Sequence, residues 1–369
     1  MKDIMSRIET KKLIKIGMIA IIVIVCIIGF SLIYYNFFYQ RSYQEIEEIM
    51  VDAAKHYYAD NEDKLPKITG EIKSISTETL TENDYMKSIT EYLKNEDIAC
   101  KASVNITKLN NKYRFNPLLD CGRYYKYEFI TDKIKKTEKI VNEEDGLYQI
   151  NEELVFKGEK IKNYVEFANT NWRIIKIKNN KLTLIYNGEK LDNITWDDRY
   201  NKERQSNTGI NDYKVSRIKE YLNNLYKGNK LFKINDKLLI SNSSLEIGKI
   251  GENDDDRNGT LSKSNILDNQ YIGLITISDF MNASLDKNCT YATNLSCSNY
   301  NYLTDYDYKY WMITADKNTT HKVFRFDNYD NISLKNASSS GYIRPVITIV
   351  SDAIYVKGNG SAKNPYIFK

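Results

Sequence analysis

The stretch Trp172–Tyr186 reads WRIIKIKNNKLTLIY. Two short apolar runs, Trp172 to Ile177 and Leu182 to Tyr186, flank Lys178-Asn179-Asn180-Lys181, and this is the signature of a β-hairpin. Working outward, Val155-Phe156 and Tyr164 to Phe167 are strand candidates upstream. Tyr271 to Ile277, Val323 to Phe326 and Val346 to Ile349 are strand candidates downstream. Val215, Ile218, Leu222 and Leu225 mark one helix, Tyr213 to Tyr226. A pattern that opens at Gly146 and mixes short strands with few helices predicts an α+β domain over 146–369.

Upstream, Phe129 to Glu144 is charged and low in large apolar groups, so 129–145 reads as an interdomain segment. Cys100 to Cys121 reads as a second hairpin: Val104 and Ile106 alternate with polar residues on one strand, Tyr113 and Phe115 on the other. Asn110-Asn111 supplies the positive φ angles of a two-residue turn. That register pairs Ile106 with Phe115 and Cys100 with Cys121, and parity puts the cysteines on the apolar face, so a disulfide is expected. Cys289 and Cys297 form the other local pair, and an even number of such cysteines points to an oxidising space. A four-thiolate zinc site lacks the CxxC spacing that would support it. Ile46, Ile49, Met50, Ala53, Ala54 and Tyr57 make Tyr43 to Asn61 an amphipathic helix that ends before Pro66, and Tyr85 to Leu93 is a shorter one.

The chain has 369 residues and a net charge of +4 with 28% charged residues, a balance that gives no support to nucleic-acid binding. Its 30 tyrosines accompany abundant Asn, Lys and Ile, as an AT-rich genome would produce. Ile16 to Phe38 carries no charge, and its most apolar part, Ile16 to Ile33, is about as long as a membrane crossing requires. Lys2, Arg7, Lys11, Lys12 and Lys15 precede it, whereas Arg41 alone follows closely before Glu45, Glu47 and Glu48. The expectation is a cytoplasmic segment over 1–12, a transmembrane helix over 13–39 containing Cys26, and an extracellular remainder. Tyr34, Tyr35, Phe37, Phe38 and Tyr39 suit the outer interface, and no small-residue cleavage site follows. Residues 40–128 then form a stalk whose helix continues the membrane helix.

Two parts of the chain resemble known families. From Lys12 to Tyr125, an apolar helix, an amphipathic helix and a small disulfide-bearing β unit resemble a type IV pilin or pseudopilin. The Gly-Phe and downstream Glu of the prepilin peptidase motif are absent around Gly17, so the resemblance implies a pilin-like stalk without processing. From Gly146 to Lys369, six pieces stand in order: FANTNWRII (Phe167 to Ile175), SRIKEYLN (Ser216 to Asn223), IGLITISDF (Ile272 to Phe280), YWMIT (Tyr310 to Thr314), GYIRPVIT (Gly341 to Thr348) and GNGSAKNPY (Gly358 to Tyr366). This part is similar to a domain of surface proteins of low-GC Gram-positive bacteria. The resemblance implies a C-type-lectin-like fold related to the formylglycine-generating-enzyme group. The reactive cysteine pair of the sulfatase-modifying enzymes has no counterpart near the C-terminus, so that activity is not implied.

The residues themselves offer sparse chemistry. His56 lies in the stalk helix, His321 follows Asn318, Thr319 and Thr320 in a turn, and no GxSxG, HExxH or Walker loop is present. No catalytic residue is assigned. Asp254, Asp256, Asn258 and Gly259 match positions 1, 3, 5 and 6 of a calcium loop, but position 12 is Asn265 rather than Glu, which favours a solvated acidic loop. No cofactor is expected, with calcium as the one candidate. Trp172 and Trp311 read as core residues, and Arg344 as a strand-end anchor; Trp311 and Arg344 are also the ligand-binding candidates. The functional expectation is a non-catalytic cell-surface binding or adhesion protein for a glycan or cell-envelope ligand. Its loops Asp192 to Gly209 and Gly248 to Asp268 would do the recognising. The alternatives are a pseudopilin-like component that self-associates through the stalk helix, and an extracytoplasmic enzyme.

Overall fold

A computed structural model describes residues 18–31, 34, 39–109, 112–304, 308–327 and 331–369. They divide into two units, Met1–Tyr127 and Glu128–Lys369.

In the first unit, helix α1 covers residues 18–31. Tyr34 is helical as well. Among the described residues no helix is long and apolar enough to cross a membrane, which corrects the transmembrane helix expected over 13–39. The basic residues before it, and Tyr35, Phe37 and Phe38, lie outside the described residues. Cys26 is a free, exposed thiol.

The stalk helix does not continue α1. Residues 39–42 are non-helical, and Ser42 caps a new helix, α2 (Tyr43–Asp60). The Ser42 hydroxyl accepts from Glu45 N at 3.2 Å while the Ser42 N–H donates to Glu45 Oε2 at 2.8 Å, so two otherwise unpaired helix-end donors are satisfied. Its buried stripe, Ile46, Met50, Ala53, Ala54, Tyr57 and Tyr58, follows the helical period. After α2 come β1 (Ile72–Ser76), α3 (Thr77–Glu82), α4 (Ile89–Leu93), β2 (Lys101–Leu109) and β3 (Lys112–Asp120). The helix expected from Tyr85 is thus confined to Ile89–Leu93, where Ser88 caps it. The strands form one sheet in the order β1-β2-β3. Ile106 stands opposite Phe115, as expected, and Asn110-Asn111 lie outside the described residues. Cys100 and Cys121 are bonded just beyond the hairpin ends. Pro117, which has no N–H, is tolerated because β3 is an edge strand.

The second unit starts with α5 (Ile130–Thr137), inside the segment expected to link the domains. Ile130 and Ile134, one turn apart, are fully buried in this unit's core, so 129–145 opens with a packed helix rather than a linker. There follow β4 (Gly146–Ile150), β5 (Glu153–Lys157), β6 (Tyr164–Phe167), β7 (Thr170–Lys178), β8 (Lys181–Tyr186) and β9 (Asn193–Thr195). Next are α6 (Arg217–Lys227), α7 (Ile234–Lys237), β10 (Ile240–Ser241), β11 (Ser243–Glu246), β12 (Ile266–Gln270) and α8 (Ile277–Ala283). The chain ends with β13 (Tyr310–Ala315), β14 (Lys322–Asp327), β15 (Asn331–Asn336), β16 (Ser340–Tyr342), β17 (Val346–Ile349), β18 (Tyr355–Lys357) and β19 (Ile367–Phe368). Among the described residues these strands make a seven-stranded sheet ordered β10-β17-β8-β7-β5-β4, with β6 on β7. They also make a five-stranded sheet ordered β15-β14-β13-β16-β9 and two strand pairs, β11-β12 and β18-β19. Tyr271 to Ile277, expected as a strand, is irregular up to Thr276, whose side chain caps α8.

The β7-β8 hairpin turns at Asn179 and Asn180, both with positive φ (50° and 56°), and it pairs Lys178 with Lys181. Within β7 the register slips: Ile174 faces Leu184, whereas Lys176 faces Thr183, leaving Ile175 as an extra residue. This bulge reverses the alternation. Trp172 and Ile174 share a face with Ile177, and Lys176 and Lys178 are turned to the other side of the sheet.

Candidate functional site

The face carrying Lys176 floors a cavity of about 660 Å³ in the second unit. Strand register explains the floor. Lys176 pairs with Thr183, Thr183 with Thr348, and Thr348 with Ser241. One polar row therefore crosses four neighbouring strands, β7, β8, β17 and β10. Residues Ser243 to Glu246 of β11, with Leu274, Thr276 and Ile313, line the rest.

One end of the cavity is a charge cluster. The Lys176 ammonium lies 2.9 Å from Asp279 Oδ1 and 3.4 Å from Glu153 Oε2. Glu153, at the start of β5, also receives Lys178 at 2.7 Å and Lys263 at 3.5 Å. Asp279 is oriented by the end of α8, where Thr276 accepts from its N–H at 3.0 Å and donates to its Oδ2 at 2.9 Å. Burial opposes the Lys176 charge, but Asp279, Glu246 and Glu153 outweigh it and push the ammonium up. Burial likewise works against Glu153, but Lys176, Lys178 and Lys263 hold its carboxyl down to about 2. Glu246 goes the other way: burial raises it, and Asp279 and Glu153 add to burial against Lys176 and Lys263.

This predicts an acid limb with a known cause. Glu153 ordinarily titrates near 4.5 and is held near 2 here, so in that window the unfolded chain binds more of this proton than the folded one. Stability contributed by Glu153 is present above about pH 4.5 and is lost as pH falls towards 2; Glu246 contributes with the opposite sign above 4.5. Glu153→Gln should flatten the slope of unfolding free energy against pH between 4.5 and 2. An unchanged slope in denaturant titrations would show that the three lysines do not hold this carboxylate.

Residues singled out from the sequence sit elsewhere. Trp311 is fully buried in β13 with its Nε1 donating to the Ile194 carbonyl at 2.9 Å. Arg344 is also fully buried; it donates to the carbonyls of Tyr186 (2.8 Å) and Leu303 (3.2 Å) and lies over the Tyr310 ring. Arg344 also donates to Asn187 Oδ1 at 3.3 Å, and neither residue lines the 660 Å³ cavity. Trp172 and Trp196 are buried in the same core.

The calcium candidates do not converge. Asp254 is held by Lys317 at 2.6 Å and by the Gly251 N–H. Asp256 is fully buried, accepting from the N–H groups of Leu261 (2.7 Å) and Ser262 (3.0 Å) and from the Ser278 hydroxyl. Asn258 accepts from Thr260 N at 3.0 Å. Among the described residues no three His, Cys, Asp or Glu side chains are grouped to hold a metal ion.

The two expected recognition loops are likewise internally wired, around Asp256 in one and Asp197 in the other. Asp197 is fully buried and accepts from Arg199 and from the N–H of Ile210. His321, read from the sequence as part of a turn, is buried; burial, together with Arg204 and Lys322, lowers its pKa. His56 is exposed. Cys289 and Cys297 are bonded and buried.

The cluster residues Lys176, Glu153, Glu246 and Asp279 were not anticipated. The one trace of them in the sequence is a lysine inside the apolar run of β7, which a strand buried on both faces would not carry. What they can do is bind: charged and hydroxyl groups face a cavity large enough for a small polar molecule. No family model, curated protein or solved structure matches the chain.

Proposed function

We propose that the second unit is a recognition module that seats a hydroxyl-rich ligand, of the saccharide or polyol class, in the cavity floored by Lys176, Thr183 and Thr348. The observation that carries this reading is the polar row of Lys176, Thr183 and Thr348 across three neighbouring strands: side chains that a packed core would fill with apolar groups face an open volume instead. The resemblance of 146–369 to lectin-like surface domains agrees with it. The two disulfides support work in an oxidising space outside the cytoplasm. Binding rather than turnover is favoured because neither His56 nor His321 lines the cavity, and the Thr276 hydroxyl is engaged with Asp279.

The test is an array of oligosaccharides and polyols probed with the full chain and with Ser244→Trp. Ser244 is exposed at the cavity wall and its hydroxyl contacts Asp268, so the indole should obstruct the opening while leaving the floor intact. Saturable binding by the wild type, reduced at least about tenfold by the variant at an unchanged thermal midpoint, is expected. Binding that ignores the indole, or no binding at all, would sink the proposal.

A further inference from the structure

Lys178 and Lys181 stand directly opposite each other across the Asn179-Asn180 turn, and both line the cavity. Like charges directly opposite on antiparallel strands are destabilising. Lys181 donates to the Ser241 hydroxyl at 2.9 Å, and among the described residues no carboxylate forms an ion pair with it. Lys178 has Glu153 at 2.7 Å, but that carboxylate is shared with Lys176 and with Lys263. Asp279 and Glu246 act on Lys176, and Glu246 acts on Lys263 as well, so three carboxylates meet the four ammonium groups of Lys176, Lys178, Lys181 and Lys263. The end of the cavity between Lys178, Lys181 and Lys263 therefore holds more ammonium charge than its carboxylates balance. A locally unfavourable arrangement in an otherwise consistent fold is the kind of feature a binding site retains.

We infer that this end of the cavity takes an anionic group, a carboxylate or a phosphate, carried on the hydroxyl-rich ligand. An incoming anion completes the pairing that Glu153 supplies only in part, and relieves the repulsion across the hairpin. The hydroxyls of Thr183, Thr348 and Ser243 then face the rest of the chain it is attached to. The inference rests on the recognition reading above and adds the charge of the ligand.

The experiment is calorimetric titration of the full chain with three oligomers of equal length, at low and at physiological salt. They are a neutral glucose oligomer, a galacturonic-acid oligomer and a glycerol-phosphate oligomer, and the last two separate a carboxylate from a phosphate source. At least one acidic oligomer should bind about tenfold tighter than the neutral one, with an advantage that shrinks as salt rises. Lys178→Gln combined with Lys181→Gln should abolish that advantage, so that the acidic and neutral oligomers bind the variant alike.

Equal affinity for all three, or an advantage that survives the double variant, overturns the anion inference and leaves the recognition reading standing. Absence of binding by any of the three overturns both. Lys181→Glu supplies a second readout: with a Lys-Glu pair in place of a Lys-Lys pair, the ligand-free thermal midpoint should rise while acidic affinity falls. A lowered midpoint would remove the repulsion on which the inference stands.

Discussion

Trp311→Ala is expected to destabilise the second unit by about 3–5 kcal/mol. The indole is fully buried, and its Nε1 donates to the Ile194 carbonyl. The Arg325 guanidinium stands 5.4 Å from the ring, and Gly341 approaches so closely that a Cβ there would lie 2.8 Å from Nε1. Truncation removes all of these contacts together, and it leaves a cavity between β13, β14 and β16 that the two sheet neighbours cannot close. It also removes the donor to the part-buried Ile194 carbonyl. Denaturant unfolding followed by tryptophan fluorescence checks it, because Trp172 and Trp196 remain as probes in the same core. A variant that unfolds at the wild-type midpoint would return Trp311 to the list of ligand-binding candidates.

Replacing both Cys100 and Cys121 by Ser should lower the stability of the first unit by about 3 kcal/mol, the value for a closed loop of this size. The separation is 21 residues for this bond and 8 for Cys289–Cys297, so the same change at the second bond should have the smaller effect. Cys121 is buried against the core formed by α2 and the sheet, where a serine hydroxyl would lose solvation without a prepared partner. Because the chain has two units, the measurement must follow them separately, by hydrogen exchange along β2 and β3 during denaturant titration. An undisturbed transition for those strands would show that the hairpin register and the α2 packing hold the unit without the bond.

These outcomes bear on what could be read without coordinates. The hairpin register needed no tertiary information, since apolar alternation from Val104 to Ile106 and from Tyr113 to Phe115 admits one pairing, and the cysteine positions agree with it. The stripe on α2 was equally plain, because a 3.6-residue period survives whatever the helix packs against. Its start was legible too, in the Ser42-to-Glu45 spacing of a capping box, yet the long apolar run upstream suggested one continuous helix instead. The interdomain reading of 129–145 failed for a related reason. Local charge density outweighed two isoleucines one turn apart, and these are what bury α5.

The chain by itself determined its strand-and-turn order over 153–186, the α2 face and both disulfide partners, because each depends on residues close in sequence or on a period. Tertiary structure alone decided the site. The single-residue bulge at Ile175 turns Lys176 away from the face of Trp172, a choice that strict alternation would have reversed. Glu246, Lys263 and Asp279 then reach the cavity from three separate segments, each 70 residues or more from Lys176, and Glu153 pairs with Lys176 from a fourth. Coulomb attraction acts on distance in space, which local sequence does not encode, so a cluster built that way becomes visible only once the sheet has closed over it.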